Sequence, residues 1–143
     1  MGKIIAICTS DIKGIQKSGV EKATFVVEHG IQNDAHAGPW HRQVSLLSHE
    51  AIEDFRSKGA EVNDGAFGEN IVVSGIVLHE LPVGTKLRAN NVLFEVTQIG
   101  KECHQHCQIF HKMGDCIMPR LGIFARVIEG GEIGKDDAIT IEA

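Results

Sequence analysis

Lys101 to Cys116 (KECHQHCQIFHKMGDC) holds three of the chain's four cysteines and three of its eight histidines. Thiolates and imidazoles bind metals, and a thiolate is also a nucleophile, so two chemistries are open to this stretch. On a helix, Cys103 and Cys107 share a face that His111 extends, offering two thiolates and an imidazole to one ion. Structural zinc sites, however, use close cysteine pairs in turns plus a second pair elsewhere, and no such second pair is visible. A Cys-x-x-Cys redox motif is also absent. As a sulfur nucleophile, Cys103 is the leading candidate. It follows Gly100-Lys101 where a helix could begin, and His104 and His106 stand beside it; nearby cations and a helix N-terminus lower a thiol pKa. Cys8 ends an apolar run and reads as a small core residue. Cys107 and Cys116 stay open between helper and bystander.

A second polar concentration is NDAHAGPWHRQVSLLS, Asn33 to Ser48. Asp34, His36, His41 and Arg42 crowd a Gly-Pro loop that feeds a strand, and loops on rigid scaffolds carry binding residues disproportionately. Arg42 has the bidentate geometry for a phosphate. The plainer alternative is a surface pair between Asp34 and Arg42, with Trp40 plugging a barrel end. Glu69-Asn70 opens another strand, where Asn can bond a heterocycle edge or an exposed turn. Arg120 lies beside Pro119 and Gly122, with Arg126 further along a strand, and two arginines within reach of Arg42 would build an anion pocket in an acidic protein. The plainer reading of Arg126 is an outward barrel residue. No Walker loop, G-x-G-x-x-G or H-E-x-x-H occurs.

The elements that position these groups are mostly strands. KIIAIC, KATFVVEH, RQVSLLS and ENIVVSG are short apolar or β-branched runs. VGTKLRANNVLFEVTQIG predicts a hairpin, with Asn90-Asn91 tolerating the positive φ of a tight turn. GIFARVIEGGEIGKDDAITIEA predicts two strands joined around Gly130-Gly131. The clearest helix starts at Ser48 as N-cap, carries Glu50 in its first turn, faces Ile52 and Phe55 inward and stops at Gly59. Ala51 at its third position rules out a capping box. A second short helix is expected over Cys103 to Met113. The sum is a mainly β fold with a few short helices: a closed or nearly closed β-barrel of mixed strands.

At 143 residues, the chain is expected to form one domain over 1–143. A net charge of −5 argues against general binding to nucleic acid or an anionic membrane. The opening apolar run is too short for a signal or a span, so the expected compartment is the cytoplasm. There, clustered cysteines are thiols rather than bridges.

Taken in order, NDAHAGPWHRQVSLLS, FGENIVVSGIVLHELPVGTKL, KECH…C and MPRLGIFARVIEGGEIGKDD resemble MOSC domains. These are the C-terminal domains of molybdenum-cofactor sulfurases and their small stand-alone relatives. The resemblance runs from Ile4 to Ile141. It implies a mixed β-barrel, a pocket for the molybdopterin form of molybdenum cofactor, and a cysteine that carries sulfur as a persulfide. The family cysteine corresponds to Cys103, its RQV arginine to Arg42, its Glu-Asn pair to Glu69-Asn70 and its late arginine to Arg120. Its Gly-Asp-x-His corresponds to Asn33, Asp34 and His36, with Asn in place of Gly; Asn tolerates positive φ.

The resemblance thus implies that Arg42, Arg120 and Lys101 hold the pterin phosphate. Asp34 lies in the same pocket, and Glu69 and Asn70 read the heterocycle. Cys103 is persulfidated or ligates molybdenum, and His36 or His104 moves a proton. Nothing in the 143 residues resembles the pyridoxal-phosphate desulfurase part of full sulfurases, and no lysine is marked for covalent pyridoxal phosphate. The sulfur donor, such as a cysteine desulfurase, and the molybdoenzyme acceptor are then separate partners. Three alternatives remain: a cofactor carrier that needs no nucleophile, reduction of N-hydroxylated compounds with a redox partner, and a zinc-stabilised binding module.

Overall fold

The computed structural model describes residues 2–10, 18–34, 37–40, 42–59, 69–100 and 121–142. Its largest sheet has eight strands in the order β11-β7-β8-β9-β5-β6-β1-β2. These are β1 (Gly2–Thr9), β2 (Ser18–Val20), β5 (Val44–Ser48), β6 (Ile71–Ser74), β7 (Lys86–Ala89), β8 (Val92–Ile99), β9 (Ile123–Glu129) and β11 (Ala138–Glu142). A further pairing, Gly2 with Ile139 and Lys3 with Ala138, joins β11 back to β1. The seven strands from β1 to β11 thereby close into a barrel, and β2 lies outside the ring on β1. Closure removes the sheet edges that would otherwise invite aggregation.

The expected mixed barrel is therefore observed. Its parallel pair is β5–β6, with Leu46 opposite Ile71. Parallel neighbours need a crossover connection, and the helix α1 (His49–Ser57) stands in it. Ile52 and Phe55 are buried, as the spacing requires, and Gly59 turns the chain at φ 101°. Ser48 occupies the N-cap position, but its hydroxyl does not cap the helix. It donates to the Ile76 carbonyl at 3.1 Å and accepts the Leu78 N–H at 3.3 Å, fastening the short 3-10 turn Leu78–Glu80.

Two apolar clusters divide the barrel wall by strand alternation. The interior holds Ile4, Ile7, Val44, Leu46, Ile71, Val73, Phe94, Val96, Ile123 and Ala125, among others. The exterior under α1 holds Ala6, Cys8, Leu47, Val72 and Phe124 with Ile52 and Phe55. Ile4 and Ile7 share the interior although three residues apart, because the register of β1 shifts between Ile4 and Ala6. That irregularity explains how an unbroken apolar run serves both faces.

The C-terminal reading needs correction. GIFARVIEGGEIGKDDAITIEA forms three strands rather than two. After β9, the chain leaves the barrel as β10 (Gly131–Gly134) and pairs with β3 (Lys22–Val26), which also pairs with β4 (Gly30–Ile31). A Cβ on Gly130 would lie 2.7 Å from the Phe25 carbonyl oxygen, so the glycine permits a close crossing instead of a hairpin turn. Phe25, Ile31 and Ile133 of this small sheet join the barrel's interior cluster. Phe25 meets Phe94 edge to face at 5.4 Å. The hairpin between β7 and β8 forms as expected, with Asn90 at φ 53°.

The small sheet presses on the loop before β5. Gly30 has φ 115°, and a Cβ there would stand 2.5 Å from the Gln43 carbonyl oxygen. Gly30→Ala is expected to destabilise the fold by about 2 kcal/mol or more, combining strained φ with backbone overlap. Urea unfolding checks this; an unchanged midpoint would show that the crossing relaxes freely.

Candidate functional site

One cross-strand row on the barrel's outer wall organises the site. Gln98 pairs with Phe124, and Phe124 with Ser45. Ser45 bonds Asn70, and Asn70 bonds Cys8. Asn70 is 1% exposed, and its side chain joins three strands. Its Oδ1 accepts the Ser45 N–H at 3.0 Å and the Ser45 hydroxyl at 3.2 Å, while its Nδ2 donates to the Cys8 carbonyl at 3.1 Å. Both lone pairs of the amide oxygen are thus occupied within the wall. Asn70 acts here as a bracket between β1, β5 and the start of β6.

Gln98 reaches this face through a break in strand alternation. Val92, Phe94 and Val96 point inward, and regular pleating would send residue 98 inward as well. The β8–β9 register shifts between Val96 and Gln98, which puts Gln98 beside Phe124 of the exterior cluster. Thr97 donates to the Phe124 carbonyl at 3.2 Å within the irregularity. Such bulges re-aim side chains. The Gln98 amide nitrogen then donates to the Gly100 carbonyl at 2.7 Å.

Arg42 lies over this row. Its Nε donates to Gln98 Oε1 at 3.2 Å, and its guanidinium carbon stands 5.2 Å from the centre of the Phe124 ring. That is a cation–π distance. The other described arginines are all paired with carboxylates: Arg56 with Glu53, Arg88 with Glu129 and Glu142, Arg126 with Glu95 and Glu28. Hydrogen bonds that Arg88 donates to Glu142 and then to Glu129 hold its guanidinium well above its ordinary pKa, and the bond donated to Glu95 raises Arg126. Among the described residues, no carboxylate forms a salt bridge with Arg42. Its terminal Nη groups therefore offer donors and a positive charge that the described protein does not neutralise.

Two carboxylates are buried nearby in sequence. Asp34 is 7% exposed, and its Oδ1 accepts the Ser10 N–H at 3.1 Å. Glu69 is fully buried immediately before Asn70. Asn33 adopts φ 70°, the conformation that Asn supports in place of Gly. No salt bridge joins Asp34 to Arg42 among the described residues, and Trp40 is 40% exposed. Arg126 is tied to Glu95 at 2.8 Å and to Glu28 at 2.6 Å and so contributes no free charge to an anion pocket. His36, His41, Lys101, Cys103, His104, Cys107, Cys116 and Arg120, with the expected helix from Cys103 to Met113, lie outside the described residues. Cys8, the described cysteine, is buried under α1 as expected. Among the described residues, no His, Cys, Asp and Glu group could hold a metal, and no helix is long and apolar enough to cross a membrane.

The flanks of the cysteine-bearing segment are themselves close together. The Gly100 N–H donates to the Gly122 carbonyl at 2.6 Å, so the described residues on either side of 101–120 meet beside the Gln98–Phe124 pair. The profile of the MOSC domain matches residues 33–140, three-quarters of the chain and every strand of the row except β1. The chain belongs to the MOSC domain family. That family is associated with molybdenum-cofactor binding.

Solved MOSC-type structures share the fold. The YuaD protein from Bacillus subtilis superposes with a TM-score of 0.80 at 19% identity, covering 97% of this chain and 94% of that one. YiiM from Geobacillus stearothermophilus gives 0.75 at 19% identity, covering all of this chain and 76% of its own. YiiM from Escherichia coli gives 0.71 at 17% identity, again over all of this chain and 70% of its own. No curated protein sequence matches.

Within this MOSC barrel, sequence reasoning missed Gln98, Phe124 and Ser45. The consecutive polar pair Thr97-Gln98, which ends the alternation of Val92, Phe94 and Val96, was the available signal for a bulge. Asn70→Ala would remove the side chain that accepts from the Ser45 N–H and hydroxyl and donates to the Cys8 carbonyl. An expected loss of about 2 kcal/mol follows from the lost buried hydrogen bonds. Chemical denaturation measures it, and a loss below about 0.5 kcal/mol would show that the bracket is dispensable.

Proposed function

We propose that this MOSC domain binds molybdenum cofactor, or a related phosphorylated pterin, and that Cys103 accepts and passes on sulfane sulfur. The observation that carries the reading is the Arg42 guanidinium, braced by Gln98 and Phe124 with no carboxylate partner among the described residues. A phosphate monoester carries roughly −1.5 to −2 charges near neutral pH and three acceptor oxygens. It suits the two Nη groups of an arginine whose Nε is already occupied. The residues therefore fit the anionic end of the cofactor. Lys101 and Arg120 would add charge there, while the buried Asp34, Glu69 and Asn70 would support the wall behind the ligand.

Chain length supports a common site. Cys103 is three residues beyond Gly100, and a chain extends at most ~3.6 Å per residue, so its Cα lies within about 11 Å of the Gly100 Cα. Arg120 is tethered still more closely to Gly122. The proposed chemistry needs no redox partner. The Cys103 thiolate attacks the outer sulfur of a donor persulfide, R–S–SH. A Cys103–sulfur bond forms, the donor S–S bond breaks, and the donor leaves as thiolate. His104 or His36 takes the thiol proton beforehand, an imidazole being suited to this near neutrality. Bound molybdenum cofactor would supply the metal–sulfur chemistry of the recipient. The chain's own task is to hold its phosphate and present the sulfur.

The test is purification without reductant, followed by incubation with a persulfide donor and measurement of bound pterin by fluorescence. Wild type is expected to retain pterin and gain roughly 32 Da on Cys103, one sulfur atom on the thiol oxidation and persulfide ladder. Arg42→Ala should weaken pterin binding about 10- to 100-fold, the loss of charge-assisted bonds worth ~1.5–3 kcal/mol. Cys103→Ser should keep the pterin and take no sulfur at that position. Wild type that retains pterin but gains no sulfur on Cys103 would favour a pure carrier, and sulfur transfer that survives Cys103→Ser would overturn the role of Cys103. Wild type that retains no pterin and takes no sulfur would refute the proposal.

A further inference from the structure

Gln98 touches the guanidinium of Arg42 but carries no charge, and this combination has a consequence for anion binding. An arginine can be immobilised by a carboxylate or by a neutral carbonyl oxygen. The carboxylate bonds more strongly but cancels the charge, as Glu129 and Glu142 do for Arg88. Gln98 Oε1 orients Arg42 through Nε alone. We infer that Gln98 is the positioning and specificity-determining residue of the Arg42 anion site, a neutral tether that fixes the guanidinium and leaves its charge for a phosphate.

Several features show that the tether is built into the wall. The irregularity at Thr97 turns Gln98 to the outer face, where regular pleating would have buried it in the barrel. Its amide nitrogen is anchored on the Gly100 carbonyl, which fixes the side chain's orientation and leaves Oε1 facing Arg42. Gly100 holds φ 70° and is itself bonded to Gly122, so the anchor belongs to the described stem that flanks residues 101–120. Phe124, the cross-strand neighbour of Gln98, supports the other side of the guanidinium. Phosphate recognition is thereby mechanically joined to the stem of the cysteine-bearing segment. A ligand that pulls on Arg42 pulls on Gln98 and Gly100. The inference rests on the proposed reading of Arg42 as the phosphate anchor.

Two near-isosteric replacements separate the tether from the charge. Gln98→Met removes the acceptor and stays neutral; Gln98→Glu keeps an acceptor and adds the neutralising carboxylate. The measurements are inorganic phosphate titration of the purified full chain and the NMR signal of the Arg42 Nε–H, assigned by its loss in Arg42→Lys. Wild type and Gln98→Glu should both show a slowly exchanging Nε–H, and Gln98→Met should not. Phosphate affinity should fall severalfold in Gln98→Met, and tenfold or more in Gln98→Glu. A purely structural glutamine would rank the variants the other way, because Gln98→Glu preserves the bond best. Gln98→Glu binding phosphate as tightly as wild type would overturn the inference while leaving the Arg42 reading intact. Wild type that binds no phosphate at Arg42 would overturn both.

Discussion

The side chain of Asn70 is the constraint on which the site's wall depends. At the point where β5 and β6 run parallel and β1 joins them, the hydrogen-bond ladder is only beginning. Asn70 completes it from the side, accepting from Ser45 and donating to Cys8. In the buried wall, unpaired amide groups would be costly. The bracket therefore fixes the height of Ser45, hence of its cross-strand neighbour Phe124, and through Phe124 the level at which Gln98 and Arg42 meet. Packing of Leu47, Val72 and Phe124 under α1 secures the same face from outside.

On this rigid wall, charge is distributed unevenly. Arg56, Arg88 and Arg126 are each satisfied by carboxylates and knit the surface together. Arg42 is instead held by an amide and an aromatic ring. An acidic chain of net charge −5 can in this way keep a local attraction for anions. The described residues that flank the cysteine-bearing segment, Gly100 and Gly122, are bonded to each other on the same face as Arg42. Binding and sulfur handling would then share one face of the barrel without needing its interior, which is filled by apolar side chains.

Much of this frame could be read from residue order. The β-branched runs, the helix from Ser48 to Gly59 and the Asn90 turn depend on local preference, and each appears where it was expected. Features that depend on distant partners could not be read in the same way. The departure of β10 towards β3 depends on the close approach of Gly130 to Phe25, which a Gly-Gly pair does not distinguish from a hairpin. Ser48 looked like a cap, but its hydroxyl finds Ile76 and Leu78 instead. Arg42 stood out as a candidate phosphate ligand by type and loop position. Gln98 did not, because a single displaced register decides which face it occupies. Asn70 stood out by type, yet its bracket depends on backbone groups from two other strands.

The central claim is that Arg42 anchors a phosphate in the same site as Cys103. A crystal structure of the full chain grown with molybdopterin tests it most directly. The account predicts phosphate oxygens within hydrogen-bond distance of the Arg42 Nη groups, Nε still bonded to Gln98, and the Cys103 sulfur facing the same ligand. A phosphate bound elsewhere, with Arg42 closed onto a carboxylate such as Glu102 or Asp115, would contradict it.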